Sequence, residues 1–252
     1  PTYFIKTNKM DYVVRRKPPG KLLPSAHAVD REYKVITALN KTDVPVPNTF
    51  AYCDDANVIG TPFFLMEHVK GKIFWDLLLP ESSAEERRKI YLSMNETIAK
   101  LHSVDFKAIG LEDYGKYENY MARQIYRWSK QYKDSETQHI PEIENLIDWL
   151  PKNIPEDEEI SIVHGDFRLD NMVFDEDSFK VKAILDWELS TLGSPIADFT
   201  YHMMAWRLPV GAKGLGILGA NLKELNIPSE EEYSELYYKK TGRDKIENWD
   251  FF

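Results

Sequence analysis

His164-Gly165-Asp166-Phe167-Arg168-Leu169-Asp170-Asn171 is the stretch that decides the architecture of this chain. A short apolar run, Ile160-Ser161-Ile162-Val163, leads into it. Two more follow, Met172-Val173-Phe174 and Val181-Lys182-Ala183-Ile184-Leu185, with Asp175-Glu176-Asp177-Ser178 turning between them. Runs of this kind bounded by turn residues read as short strands, so the polar side chains project from the ends of rigid β elements. Asp166 and Asn171 can converge on one point across a tight loop, and Asp186, at the end of the hairpin, would face the same point. One charged and one neutral oxygen ligand suit Mg²⁺, which takes few protein ligands and keeps room for phosphate and water. Asp166 is then free to accept a proton from a hydroxyl, the layout of phosphoryl transfer. Singly, each aspartate is at home in a turn or cap. The ordered series of strand, loop, Asn, hairpin and Asp is what points to chemistry.

Upstream of this stretch the chain opens with β-rich runs, Tyr3-Phe4-Ile5 and Tyr12-Val13-Val14-Arg15, separated by the turn residues Asn8-Lys9-Met10-Asp11. Pro18-Pro19-Gly20 breaks the second run. From about Ser25 to Leu39 the pattern is helical, with Val29, Tyr33 and Ile36 on one stripe. Glu32 falls on that stripe, and a carboxylate facing a core requires a partner. Phe63-Phe64-Leu65-Met66 is a further strand. The spacing predicts a small β-rich lobe over residues 1–66, a connecting segment over 67–71, and a larger, mostly helical lobe over 72–252. In that second part Ser83 and Glu86 make a capping box ahead of Ile90, Met94, Ile98 and Leu101. Tyr117, Met121, Ile125, Trp128 and Tyr132 form another stripe, read as core or pocket wall, and Ile143, Leu146, Ile147 and Leu150 a third. Ser229 with Glu232 starts a last helix that Gly242 should end.

The composition narrows the field. Among 252 residues, 32 Lys and Arg stand against 41 Asp and Glu, for a net charge of −9. A nucleic-acid binder would carry a basic surplus on some face. No apolar run approaches the roughly 18 residues that span a bilayer, so no membrane partner is expected. With the single cysteine, Cys53, neither an internal disulfide nor a Cys-rich metal cluster can form. A reducing, cytoplasmic setting is the expectation.

His164-Gly165-Asp166 with Asn171, followed by Ile184-Leu185-Asp186-Trp187-Glu188, resembles the signature of the aminoglycoside phosphotransferase and choline kinase-like family. The longer match, through Leu189-Ser190-Thr191 and Gly193, is similar to the kinase-like domain fused to some acyl-CoA dehydrogenases, as are Arg15-Arg16-Lys17-Pro18-Pro19-Gly20 and Leu22-Leu23-Pro24-Ser25-Ala26-His27. The resemblance implies an α+β, two-lobed protein-kinase-like fold whose phosphate loop would lie just before Pro1 or at the very start of the chain, its first strand being expected to precede Pro1. It implies ATP and Mg²⁺ as cofactors and a small-molecule hydroxyl as substrate. Asp166 becomes the catalytic base, with Arg168 near the transferring phosphoryl group. Asn171 and Asp186 become the metal ligands, and His164 a scaffold residue. Gly165 stands where many protein kinases carry an arginine that pairs with an activation-loop phosphate, so that mode of regulation is not expected. Asp198 would brace the loop from a helix.

In kinase folds a strand lysine holds the nucleotide phosphates and pairs with a helix glutamate. Here Arg15 takes that place and Glu32 is its partner. Strand alternation puts Val13 and Arg15 on one face; the alternative is Arg15 at the surface, with Arg16 or Lys17 pointing inward. Met66-Glu67-His68-Val69 would be the hinge, Glu67 and Val69 offering backbone groups to adenine. The acceptor could be aminoglycoside-, choline- or hydroxyacyl-like. The acidic balance suits the cations, while the subgroup resemblance and the basic run from Arg15 to Lys21 suit a hydroxylated acyl group, a CoA thioester being one such form. The alternative is a catalytically weak pseudokinase module that regulates a fused or associated enzyme, suggested by arginine in place of lysine. A third reading, a dinucleotide-binding oxidoreductase, rests on Gly214-Leu215-Gly216-Ile217-Leu218-Gly219. That G-x-G-x-x-G match follows no convincing strand and comes after the Asp and Asn positions, so it is read as a loop.

Overall fold

The computed structural model describes residues 1–18, 28–156, 159–211 and 214–252. The chain opens with strands β1 (Thr2–Ile5) and β2 (Tyr12–Arg16), helix α1 (Val29–Leu39), strand β3 (Thr49–Cys53), a single helical turn α2 (Ala56–Ile59) and strand β4 (Phe63–Glu67). The four strands form an antiparallel sheet in the order β1-β2-β4-β3. Arg15 lies opposite Phe64, and Tyr12 opposite Glu67. Val29, Val35, Ile36 and Leu39 of α1 are buried against β3 and β4. Glu32 is buried with them, at 2 % exposure.

Helices α3 (Ala84–His102), α4 (Tyr120–Ser135) and α5 (Pro141–Trp149) follow. The capping box at Ser83 and Glu86 is formed in both directions, so two amides at the start of α3 are satisfied. Ile90, Met94, Ile98 and Leu101 recur at helical spacing and are fully buried; each contributes on the order of 2 kcal/mol of apolar burial. Two antiparallel hairpin-like pairs then present the 164–171 segment. They are built from β5 (Ser161–Val163), β6 (Met172–Phe174), β7 (Val181–Ile184) and β8 (Thr191–Gly193), paired β5-β8 and β6-β7. Helices α6 (Pro195–Met203), α7 (Leu222–Leu225) and α8 (Glu230–Thr241) complete the fold, and α3 packs against α8, β5 and β7. Gly242, in the left-handed region at φ +71°, ends α8 as its sequence position indicates.

Several expectations shift. The helix expected from about Ser25 is described from Val29, and Pro19, Gly20 and residues 21–27 lie outside the described residues. Tyr117 precedes α4, whose first residue is Tyr120. No residue of α4 or α5 is buried, so the stripe on α4 is a wall and not core. Strand β4 runs through Glu67, so the expected 67–71 connection keeps its first residue in the ladder. The Gly214–Gly219 stretch is no dinucleotide loop. Leu218 bridges Pro209 in a short loop ladder, and the only helix that follows closely among the described residues is the four-residue α7. A phosphate loop of that kind needs a strand before it and a full helix after it.

The segment after β4 is stitched to the β6-β7 hairpin, for Lys72 and Phe174 exchange both backbone hydrogen bonds at 2.8 Å. Gly71 makes that approach possible, because a Cβ there would collide with the Phe174 carbonyl and the Val173 side chain. Gly71→Ala should therefore cost about 1–3 kcal/mol through overpacking, measured as a lowered urea midpoint with an unchanged m-value. An unaltered midpoint would show that this crossing is not tightly packed.

Candidate active site

The 164–171 segment is held in place by one face of α6. Asp198, Tyr201 and His202 stand at helical spacing i, i+3 and i+4, and so project together. The Asp198 carboxylate accepts from the His164 amide and the Gly165 amide, each at 2.8 Å. The Tyr201 hydroxyl donates to Asp166 Oδ1 at 2.8 Å. His202 Nδ1 donates to the Phe167 carbonyl at 3.1 Å. Four successive residues, 164 to 167, are thus each tied to α6. Gly165 turns the chain at φ +80°, and a Cβ there would lie 2.9 Å from the Leu189 carbonyl. The position has no room for the arginine found in many protein kinases.

Three buried histidines take part, and their partners determine their protons. A carbonyl or carboxylate can only accept. His202 therefore carries its proton on Nδ1 and accepts at Nε2 from Tyr233, 2.9 Å away. His102 donates from Nε2 to Asp198 at 3.1 Å and accepts from Tyr237 at 2.8 Å. His164 donates from Nε2 to the Leu185 carbonyl at 2.9 Å and accepts the Asp166 amide at 3.2 Å. Burial pushes all three imidazoles down, His202 to about 4. Burial acts the other way on Asp198, but His102, His164 and the His164 amide hold its carboxyl below the ordinary range.

Asp166 lines neither of two nearby cavities but bonds to one wall residue of each. Its Oδ2 accepts from Asn171 Nδ2 at 3.0 Å, and its Oδ1 accepts from Tyr201. Asn171 lines a cavity of about 340 Å³ between the sheet and the β6-β7 hairpin. Val13, Met66, Val173 and Ile184 wall it, and Arg15, Glu32 and Asp186 give it charge. Tyr201 lines another of about 510 Å³ between α4, α6 and the segment 249–252. Arg168 lies beside Asp166, its Nε 3.3 Å from Oδ1, and pairs with Asp170 at 2.7 Å. Burial pushes the Tyr201 phenol up, with help from Asp166, to about 12, so it stays a donor.

Arg15 is the inward cation of β2. It pairs with Glu32 at 2.7 Å, with Asp186 at 2.7 Å and with Glu188 at 3.5 Å. Burial works against its charge, yet these three carboxylates raise its pKa overall. Burial also pushes the Glu32 carboxyl up, against the pull of Arg15. Asp186 adopts the left-handed region at φ +61°, tolerable for aspartate. Leu185 donates its amide to the Asn171 carbonyl at 2.8 Å, which brings Asp186 and Asn171 to the same edge of the cavity. The set fits a hard cation. Asn171 spends its amide nitrogen on Asp166 and Asp186 spends Oδ1 on Arg15, leaving one oxygen of each without a partner among the described residues. Glu67 and Val69 line the same cavity. The Glu67 side chain is taken by Asn48 at 2.6 Å, and the Val69 amide has no intramolecular acceptor among the described residues.

Every residue singled out from the sequence thus borders one of the two cavities or contacts a residue that does. Tyr201, His202, His102 and Glu188 were not singled out. The spacing Asp198-x-x-Tyr201-His202 marks one helix face, and that was the available signal.

The chain matches the model of the phosphotransferase enzyme family, APH, over residues 1–235. It is 44% identical over 253 residues to acyl-CoA dehydrogenase family member 10 of Mus musculus, covering 100% of this chain and 24% of that protein. The curated relatives at the head of the comparison are matched over 24% to 33% of their length. A solved structure from Ralstonia eutropha, described as a candidate aminoglycoside phosphotransferase, is 48% identical with a TM-score of 0.91, covering 100% of this chain and 74% of that one. An aminoglycoside phosphotransferase from Streptomyces rimosus, solved with ADP and streptomycin, has a TM-score of 0.55 at 15% identity, covering 94% of this chain and 91% of that one; this likeness is one of fold. The chain belongs to the phosphotransferase enzyme family and has its two-lobed, α+β kinase-like fold. No helix of the described residues is long and apolar enough to cross a membrane.

The buried histidines make stability depend on pH with a definite sign. His202 is depressed from its ordinary 6.5 to about 4, so between these values the unfolded chain binds the extra proton. Stability should be complete above pH 6.5 and fall as the pH drops toward 4, by about 3 kcal/mol from His202 alone. Urea unfolding at pH 7.5 and pH 5 reads this directly. Equal free energies at the two values would contradict the neutral assignment.

Proposed function

We propose that this chain is an ATP- and Mg²⁺-dependent kinase that transfers the γ-phosphoryl group to the hydroxyl of a small molecule with an apolar, acyl-like body. The observation that carries this reading is the position of Asp166, bonded through one oxygen to a wall of each cavity. The cavity bounded by Arg15, Glu32 and Asp186 takes the nucleotide, and the one bounded by α4 and α6 takes the acceptor. On this reading residues 1–66 are the nucleotide lobe, 67–71 the hinge and 72–252 the lobe that carries the acceptor site.

Asp166 accepts the proton of the attacking hydroxyl as the new O–P bond forms and ADP leaves. Arg168, aligned by Asp170, offers charge to the phosphoryl group in transit. Arg15, positioned by Glu32, grips nucleotide phosphate through its planar fork. The Val69 amide and the Glu67 backbone face adenine. Asn171 and Asp186 would hold magnesium through their open oxygens. Bound there, the ion would neutralise charge on the phosphates.

The acceptor cavity argues for the acyl class over a polycation. Its walls include Met121, Trp128, Met203, Met204, Trp249 and Phe252. Glu230 and Arg207 pair with each other at 2.7 Å, and Asp198 is spent on the loop. Arg127 and Asp250 remain, one charge of each sign. An aminoglycoside would meet a single open carboxylate, whereas an apolar chain with an anionic end would meet aromatic walls and an arginine. The names of the curated relatives, acyl-CoA dehydrogenases, agree with this preference. The pseudokinase alternative leans on arginine in place of lysine, but Arg15 makes the ion pair with Glu32 that the lysine would make.

Two measurements test the reading. ATP should raise the melting temperature of the wild type only with Mg²⁺ present, and Asp186→Ala should abolish that metal-dependent part. Asp166→Asn should keep the ATP shift and lose at least about a hundredfold in ADP release with hydroxyacids or their thioesters as acceptors, the usual scale of general-base catalysis. Full turnover in Asp166→Asn would exclude the assignment of the base. Metal-dependent ATP binding without turnover on any hydroxylated acceptor would favour the pseudokinase module.

A further inference from the structure

We propose that the Tyr201 hydroxyl occupies the acceptor's seat on Asp166 and keeps water out of it until an acceptor hydroxyl displaces it. The inference rests on the kinase reading above and adds a residue that sets the choice between acceptor and water.

A general base must lie within about 2.6–3.2 Å of the atom whose proton it takes. Among the described residues, the hydroxyl at that distance from Asp166 is that of Tyr201, at 2.8 Å from Oδ1. The other oxygen is engaged by Asn171, on the nucleotide side. Tyr201 approaches from the acceptor side. Its ring lines the large acceptor cavity and also a narrow one of about 60 Å³ walled by Trp75, Leu77, Phe167 and Arg168, so it stands where the two meet. Asp166 itself lines neither space, and Tyr201 is the residue common to both that bonds it.

Four tyrosine hydroxyls of the second lobe serve the core. Tyr91 bonds the Leu77 carbonyl, Tyr114 bonds Ser190, and Tyr233 and Tyr237 bond buried histidines. Each of those side chains is at most 1 % exposed. Tyr201 is 37 % exposed, and its hydroxyl is spent on the base. A half-exposed ring can swing aside without breaking the core, whereas the helix that carries it stays fixed through Asp198 and His202.

The consequence is chemical. Water is a small acceptor, and a base open to it would drive transfer of the γ-phosphoryl group to water with release of ADP and phosphate. A phenol hydrogen-bonded to the base excludes water from that lone pair. An acceptor whose body fills the cavity supplies the contacts that move the ring.

The experiment uses the full chain with MgATP and no acceptor, comparing wild type, Tyr201→Phe and the double variant Asp166→Asn with Tyr201→Phe. Thermal shift with MgATP first establishes that all three bind nucleotide. ADP release should rise about tenfold in Tyr201→Phe, because a lone pair of the general base becomes open to water, and the double variant should lose that gain. Intact mass should show no phosphate on wild-type Tyr201. Release that is unchanged or slower in Tyr201→Phe, with nucleotide binding intact, overturns the proposal. So does phosphorylation of Tyr201, which would make the phenol an acceptor. If neither wild type nor variant binds MgATP, the kinase reading itself has failed and this inference falls with it.

Discussion

Asp198 carries a negative charge at 4 % exposure, and much of the second lobe is arranged around that fact. A carboxylate removed from water keeps its charge only when donors surround it. The donors here are two successive amides of the 164–171 segment and an imidazole at the end of α3. The dependence runs both ways, because the His164 amide is buried and the Gly165 amide half-buried, and both would be orphaned without the carboxylate. The imidazole of His102 accepts from Tyr237 of α8, and Tyr237 stacks on Phe199 of α6 with centroids 3.9 Å apart. One charge thereby links α3, α6, α8 and the loop that bears Asp166.

A second constraint ties the sheet to this assembly. Arg15 reaches Glu32 on α1 and both Asp186 and Glu188 beyond β7. A planar guanidinium can serve three carboxylates at once from fixed directions, which a single ammonium on a flexible stem does less well. The arginine in place of the usual lysine is thus accounted for by its neighbours. It also explains why Glu32 tolerates the apolar stripe of α1, although one of its oxygens, Oε1, lacks a partner among the described residues.

Much of this was legible in the sequence. Glu32 on an apolar stripe demanded a cation, and strand alternation offered Arg15. The capping box of α3, the Ser229 cap of α8 and the end of α8 at Gly242 follow from local chemistry alone. What escaped notice depends on contacts between distant segments. Strand β8 is three residues long and becomes a strand only by pairing with β5. Strand β3 exposes most of its residues and owes its state to β4. Tyr201 and His202 could be placed on a helix face with Asp198, but periodicity does not say what that face meets. The cavity proposed for the acceptor draws on α4, α6 and residues 249–252, which no local pattern joins.

Helix α6 is used on two sides. One face holds the 164–167 backbone and Asp166, and the adjoining face, through Ala197, Thr200 and Met203, walls the cavity proposed for the acceptor. Helix α4 contributes to the same cavity and has no fully buried residue. The two walls therefore differ in how freely they can diverge. A substitution on α6 that suits a new acceptor also disturbs the loop, while one on α4 leaves it untouched. Descendants of this chain that change acceptors would accumulate their differences along α4 and at residues 249–252, with α6 drifting slowly behind.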